Sequence, residues 1–308
     1  MERAGRYHRP SAWAIDPVRG ADRRCYAVHA MAERPSQDEI RRRVLEDRPS
    51  FAIPVEVPDP PVAARDSATV ILLRDADAGL EVFMLERHLN SDFAGGAYVF
   101  PGGTIDERDT DPEAAKFLDA PTDVEPEFIL CAIRETFEEA GVLLATRDGK
   151  TVPLADDEEG RFEARRVELA ARGGSLAKFA RDEELRFAGN SLHYFSRWVT
   201  PEFAPKRYDA RFFVAQMPGG QDPLHDDIET TASTWIRPVD ALAQAREGLF
   251  SIIFPTRKTL EELAAFETTA DVIASTPGKE IIPILPTVVL AEGTARVVLP
   301  GDPTLHEP

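Results

Sequence analysis

The sequence predicts a mixed α/β or α+β sandwich. Strand-like and helix-like runs follow one another in a single block, with no run of 18 apolar residues and no internal repeat. The apolar fraction of 43% in 308 residues is enough for a substantial core. In chain order, residues 1 to 64 are rich in Arg, Pro and Asp and end in "IPVEVPDPPVAARD", an extended lead-in. The expected domain spans 65–304. "SATVILLR" (67–74) and "LEVFMLER" (80–87) are β-branched, apolar runs around "DADAG" and read as a hairpin. "GAYVFPGG" (96–103) reads as a short strand closed by a Pro-Gly-Gly turn, and 104–125 as a polar loop with one helical turn. Two charged helices broken at Gly173-Gly174 are expected over 157–190. Strands follow at 192–201, 208–218 and 231–238, then helices at 239–248 and 256–266 behind Pro238 and Pro255. Two short strands are expected in the tail.

The segment "CAIRETFEEAG" (131–141) carries the chemistry. At about 100° per residue, Ile129, Ile133, Thr136, Phe137 and Ala140 form one stripe, the mark of a core-facing helix. Glu135, Glu138 and Glu139 fall on the opposite side at i+3 and i+4 spacing, where like charges repel by a few tenths of a kcal/mol per pair. Such a face is either simply solvated or holds a hard divalent cation, Mg²⁺ or Mn²⁺. Gly141 is placed to end the helix in a left-handed turn.

Composition limits the partners. Against 36 basic residues stand 54 acidic ones, for a net charge of −18, which argues against nucleic acid and against an anionic membrane surface. A polyanionic substrate would need local arginines or metal ions. Cys25 and Cys131 build no disulfide framework, so a reducing, cytoplasmic setting is the default. The first 30 residues are Arg-rich without the apolar core of a secretory signal, and read as disorder or as an over-long start before Met31. "LHEP" carries no peroxisomal address.

Taken in order, a strand, "FPGGTID", a loop and "AIRETFEEAGVLL" resemble the Nudix hydrolases. Gly103, Arg134, Glu135, Glu138, Glu139, Gly141 and Val142 match the signature of Gly, five residues, Glu, seven residues, Arg-Glu-x-x-Glu-Glu-x-Gly and an aliphatic residue. Asp109 stands where the first signature glutamate belongs, and an insertion of 17 residues separates it from Arg134. The wider context, with "FMLERHLNSDFAGGAYVFPGG", "FSRWVTPEFAPKRYDARFFVA", "ETTASTWIRPVDAL" and "VVLPGDP", is similar to the subfamily of peroxisomal acyl-CoA diphosphatases and their bacterial relatives.

That resemblance implies a Nudix α/β/α sandwich with a mixed sheet, in which 157–190 form a helical cap. It implies Glu138 and Glu139 as metal ligands, completed by the Gly102 or Gly103 carbonyl, with Glu135 as general base or water-orienting group that also stands in the metal set. Arg134 would hold these carboxylates in place. A further acid is expected from a later loop: Glu229, with Asp226 and Asp227 behind it; His225 is read as incidental. Arg87, Arg197, Arg207 and Arg211, with Lys206, are the candidates for substrate phosphate, each weighed against an ordinary surface ion pair. Trp198 and Trp235 are read as core. The implied reaction is metal-dependent hydrolysis of the diphosphate bond of CoA or acyl-CoA, giving adenosine 3′,5′-bisphosphate and (acyl) 4′-phosphopantetheine. ADP-ribose, NADH or a nucleotide sugar is the alternative substrate, and a homodimer is compatible with the reading. A non-catalytic nucleotide sensor is the rival of another class; the intact Arg-Glu-x-x-Glu-Glu set argues against it, because a pure binder needs no base. Apolar positions Phe162, Val167, Leu169, Leu176 and Phe179 of the insertion are expected either to line a groove for pantetheine or acyl chain, or to pack its two helices together.

Overall fold

Two long strands organise the sheet, β1 (Arg65–Ala76) and β2 (Gly79–Arg87), joined by the tight turn that "DADAG" encodes. The computed structural model describes residues 60–88, 95–119, 124–154, 156–223, 230–291 and 294–300. The expected leader up to residue 59, the 89–94 loop and the loop acid Glu229 with its neighbours Asp226 and Asp227 lie outside the described residues. The "GAYVFPGG" run forms two short strands, β3 (Tyr98–Val99) and β4 (Gly102–Thr104), divided at Phe100-Pro101, because Pro101 has no N–H for a ladder. β8 (His193–Val199), β9 (Tyr208–Gln216) and β10 (Thr230–Ile236) complete a seven-stranded sheet. Its main order is β10-β2-β1-β9-β8, with β3 on β2 and β4 on β1. β1 and β9 run parallel and the other pairs antiparallel, so the sheet is mixed.

Strand alternation splits the apolar side chains between two cores. Ala68, Val70, Leu72, Phe83, Leu85, Phe213 and Ala215 face one side. Ile71, Leu73, Val82, Met84, Phe212 and Val214 face the other. Both faces must be covered, which makes three layers. The first face is covered chiefly by one helix, Pro126–Ala140. A short helix, α1 (Pro112–Ala115), precedes it, so the signature helix is α2. The second face is covered by α5 (Pro238–Arg246), α6 (Phe254–Leu263) and α7 (Thr269–Ala274). Trp198 packs in this second core against Phe254, as expected, while Trp235 is half-buried beside Phe83 with Arg74 over its ring. Among the described residues no helix is long and apolar enough to cross a membrane.

The insertion folds as α3 (Asp156–Ala170) and α4 (Leu176–Asp182), broken at Gly173-Gly174 as the sequence indicates. A small sheet, β6-β5-β7, ties it down: β5 (Ala145–Arg147), β6 (Lys150–Thr151) and β7 (Arg186–Phe187). Of the two expectations for its apolar residues, the groove is the one to correct. Phe162, Leu169, Leu176 and Phe179 are buried in the α2 core, with Phe179 stacked on Phe137 at 5.5 Å and Phe162 edge-on to Phe179 at 6.0 Å. Of the set, only Val167 is exposed. Aromatic area of this kind stabilises by burial, and these side chains are already spent on it.

Gln221 closes the fold behind α2. Its buried side chain accepts from Leu143 N–H at 2.9 Å and donates to the carbonyls of Leu143 and Val152 at 3.0 and 2.8 Å. Gln221→Ala would strand buried backbone groups and is expected to lower stability by about 1–3 kcal/mol, read by urea denaturation with an unchanged m-value.

Candidate active site

Helix α2 begins at Pro126, whose ring suits the first helical position, and ends at Gly141 in the left-handed conformation (φ 66) anticipated for it. Its apolar stripe is buried as expected. The acidic side is not a solvated face: Glu138 and Glu139 are only 8% and 5% exposed. The loop from Gly102 to Asp109 and the insertion lie over it, so three carboxylates share a largely covered site.

Arg134, 2% exposed, is the hub. Its Nε and Nη2 donate to the two oxygens of Asp109 at 2.8 and 2.7 Å, a bidentate buried pair. Nη2 also donates to the Thr104 carbonyl at 3.1 Å, and Nη1 to Glu135 at 2.7 Å and Glu138 at 3.2 Å. Burial opposes the Arg134 charge, but the Asp109 hydrogen bond and the charges of Glu135 and Asp109 outweigh it and raise its pKa. Asp109, at the position expected for the first signature glutamate, thus anchors Arg134 across 25 positions of sequence. Its Oδ2 also accepts from the Asp106 N–H, which fixes the loop.

Close approach dictates both glycines. A Cβ on Gly103 would stand 2.3 Å from Glu135 Oε1, and one on Gly102 would stand 2.5 Å from the Ala68 carbonyl oxygen. The Gly102 N–H donates to Glu139 Oε2 at 2.8 Å, and the Gly103 carbonyl accepts from the Cys131 thiol at 3.5 Å. Burial pushes the Cys131 thiol well up, so it stays a neutral packing group.

Burial is also the chief cause that raises the Glu135 carboxyl; Arg134 opposes it and Glu138 adds to it. Glu138 is raised for the same first reason, against Arg134 and Arg108. Sequence reasoning missed Arg108, which donates to Glu138 Oε1 at 3.1 Å and grips Asp106. The signature leaves that position open, so no pattern could have flagged it.

Among the described residues, no group of three or more His, Cys, Asp or Glu is gathered as a ready-made metal cage. The acids are held by Arg108, Arg134 and the Gly102 N–H instead. The donor chemistry nevertheless fits a hard cation. Asp106, Asp109, Glu135 and Glu138 pair with Arg108 and Arg134, Glu139 accepts from the Gly102 N–H, and the carboxylate donors are all oxygen.

Three of the expected phosphate arginines, Arg197, Arg207 and Arg211, already have internal acceptors. Arg197 and Arg211 are register partners on β8 and β9. Arg197 is bidentate to Asp209 at 2.8 and 2.7 Å. Arg211 pairs with Glu125 and lies 3.5 Å from the Phe128 ring centroid, in the first turn of α2. At 1.5 Å per residue this is about 10 Å along the axis from Glu135. Arg207 donates to the Thr200 and Val62 carbonyls at 3.0 and 2.7 Å, and Arg87 ends β2 with its N–H on the Ala97 carbonyl. The Arg211 hydrogen bond holds the Glu125 carboxyl down to about 2. Because the folded value is depressed, the pair stabilises above the ordinary carboxylate range and loses that effect as pH falls toward about 2. The melting-temperature gap between wild type and Glu125→Gln is therefore expected to be small at pH 7, since the carboxylate is largely exposed, and to shrink steadily below about pH 5.

Residues 114–256 match the family described as the NUDT19 Nudix domain. The chain is 24% identical over 229 residues to the acyl-coenzyme A diphosphatase NUDT19 of Xenopus laevis, covering 60% of each. It is 27% identical over 202 residues to the putative nudix hydrolase 7 of Caenorhabditis elegans, covering 65% of this chain and 60% of that protein. The chain thus spans about 60% of the length of these two relatives. A crystal structure of a NUDIX hydrolase from Alicyclobacillus acidocaldarius superposes with a TM-score of 0.60 at 29% identity, covering 69% of this chain and 96% of that one. With the three-layer sandwich and the Arg-Glu-x-x-Glu-Glu helix, these matches give the chain a Nudix fold and make it similar to Nudix hydrolases. Within that superfamily it resembles the NUDT19 subfamily. Nudix hydrolases generally use divalent metals.

Proposed function

We propose that the protein is a Mg²⁺- or Mn²⁺-dependent diphosphatase that cleaves CoA or acyl-CoA into adenosine 3′,5′-bisphosphate and (acyl) 4′-phosphopantetheine. The observation that carries the reading is the buried set Arg134, Glu135, Glu138 and Glu139, whose geometry survives the 17-residue insertion because Asp109 returns to Arg134. The substrate class is supported by similarity to the Xenopus laevis protein of that name.

Glu138 and Glu139, with Glu135 and the Gly103 carbonyl, would hold the cation, and Glu229 is the proposed loop acid. When bound, the cation neutralises diphosphate oxygens and acidifies water. Arg134 keeps Glu135 and Glu138 on one side of the helix. Glu135, raised by burial, is suited to accept a proton from the attacking water near neutral pH. The Gly103 backbone lies so close to Glu135 that a side chain there would push the carboxylate away. Arg197, Arg207, Arg211 and Arg87 are the proposed phosphate contacts; the first three must trade internal acceptors for substrate oxygens.

The test is product release from CoA, acyl-CoAs, NADH, ADP-ribose and nucleotide sugars with Mg²⁺ or Mn²⁺. CoA or an acyl-CoA is expected to give the highest kcat/KM, with turnover abolished by EDTA and restored by either ion. Full turnover in EDTA removes the metal mechanism, and a clear preference for ADP-ribose or NADH removes the substrate assignment.

A further inference from the structure

Both oxygens of Glu138 are already occupied by protein cations. Oε2 accepts from Arg134 Nη1 at 3.2 Å and Oε1 from Arg108 Nη1 at 3.1 Å. A cation that takes this carboxylate competes with both guanidinium charges for its oxygens. Arg134 is fixed by two oxygens of Asp109, the Thr104 carbonyl and Glu135. Arg108 is held differently. Its Nε reaches both Asp106 oxygens at 3.1 and 2.9 Å, and its Nη1 also donates to the Leu169 carbonyl at 2.6 Å, in the last turn of α3. It can leave Glu138 and keep every other bond. We infer that Arg108 is an exchangeable internal counterion for Glu138, displaced by the divalent cation, and that through Leu169 it couples the site to the helical insertion.

The insertion is wired to the same residue a second time. Arg166 of α3 donates to the Glu138 main-chain carbonyl at 2.8 Å, near the end of α2 where carbonyls lack helical partners. Glu138 is therefore clasped by α3 at its backbone and by the Arg108 bridge at its carboxylate. Once Glu138 is taken, Nη1 of Arg108 is left with Leu169 as its acceptor, and the last turn of α3 is tied more firmly. Arg108 is a positioning residue; it acts through Glu138.

The inference rests on the proposed metal reading, and the experiment separates the two. Mn²⁺ binding without substrate is measured by calorimetry for wild type, Arg108→Ala and Arg108→Lys. Amide exchange of residues 165–173 is followed with and without Mn²⁺. Arg108→Ala removes a charge-assisted competitor and is expected to bind Mn²⁺ about tenfold tighter, although its metal-free form melts lower. A merely structural role would not raise affinity. Arg108→Lys keeps the charge but not the three-way reach, and is expected to fall between the two. In wild type, Mn²⁺ is expected to slow exchange in 165–173 by about threefold or more, and Arg108→Ala to abolish that response. Unchanged or weaker binding by Arg108→Ala overturns the counterion role. If that variant does not fold, Arg108→Lys binding no tighter than wild type does the same. An unresponsive α3 in wild type overturns the coupling. Wild type that binds no Mn²⁺ overturns the metal reading and this inference together.

Discussion

Glu139→Gln is expected to lower kcat by about 10²-fold or more, roughly 2.7 kcal/mol of transition-state stabilisation, with little change in melting temperature. Glutamine keeps an acceptor oxygen for the Gly102 N–H, which Glu139 now meets at 2.8 Å, so the loop stays anchored. The charge and one acceptor oxygen are lost, and on the proposed mechanism a metal ligand weakens with them. Steady-state kinetics beside thermal melts would check the split. Full activity in this variant would show that Glu139 serves only to hold the glycine loop.

Asp109→Ala is expected to cost about 3–5 kcal/mol of stability, because it leaves Arg134 charged, buried and short of two hydrogen bonds. For a domain of this size that is a fall of about 10 °C or more in melting temperature. The double variant Asp109→Leu with Arg134→Met removes the unpaired arginine but leaves Glu135 and the Thr104 carbonyl without their donor, so it is expected to recover only part of the loss and to remain inactive. A double variant no more stable than the single would mean that the site cannot accept the new side chains. Asp109→Ala with unchanged stability would show that the ion pair carries no net weight.

The sheet was legible because its strands are long enough to display alternation: β1, β2, β8, β9 and β10 fall within one or two residues of the expected runs. β5, β6 and β7 were not, since two or three residues carry no period. The six-residue α7 was missed as well, although its Thr268–Asp271 capping box was a usable local signal. Within the site, the signature spacing located Arg134 and the glutamates. The solvated alternative failed because helical periodicity says which side is apolar, not what covers the other side. The groove expectation failed for a related reason: Phe162 and Phe179 have the same pattern whether they line a cavity or meet Phe137. Arg108 could not be read at all, as its partners Glu138 and Leu169 lie 30 and 61 positions away.

The parallel pairing of β1 with β9 runs for nine residue pairs from Arg65↔Tyr208 to Leu73↔Gln216. Its first partners are 143 positions apart (208 − 65), so the ribosome must add that much chain before the central strands can join. At about 5–20 residues per second, this takes roughly 7–30 s. During that interval β1 can pair with β2 and β4, but its other edge, a row of unpaired N–H and C=O groups between faces of Val, Ile and Leu, has no native strand to meet. The nascent chain therefore passes through a half-sheet with a bare margin, a natural client for a holding chaperone. Substitutions that make this margin stickier would depress the yield of folded protein without touching the folded state.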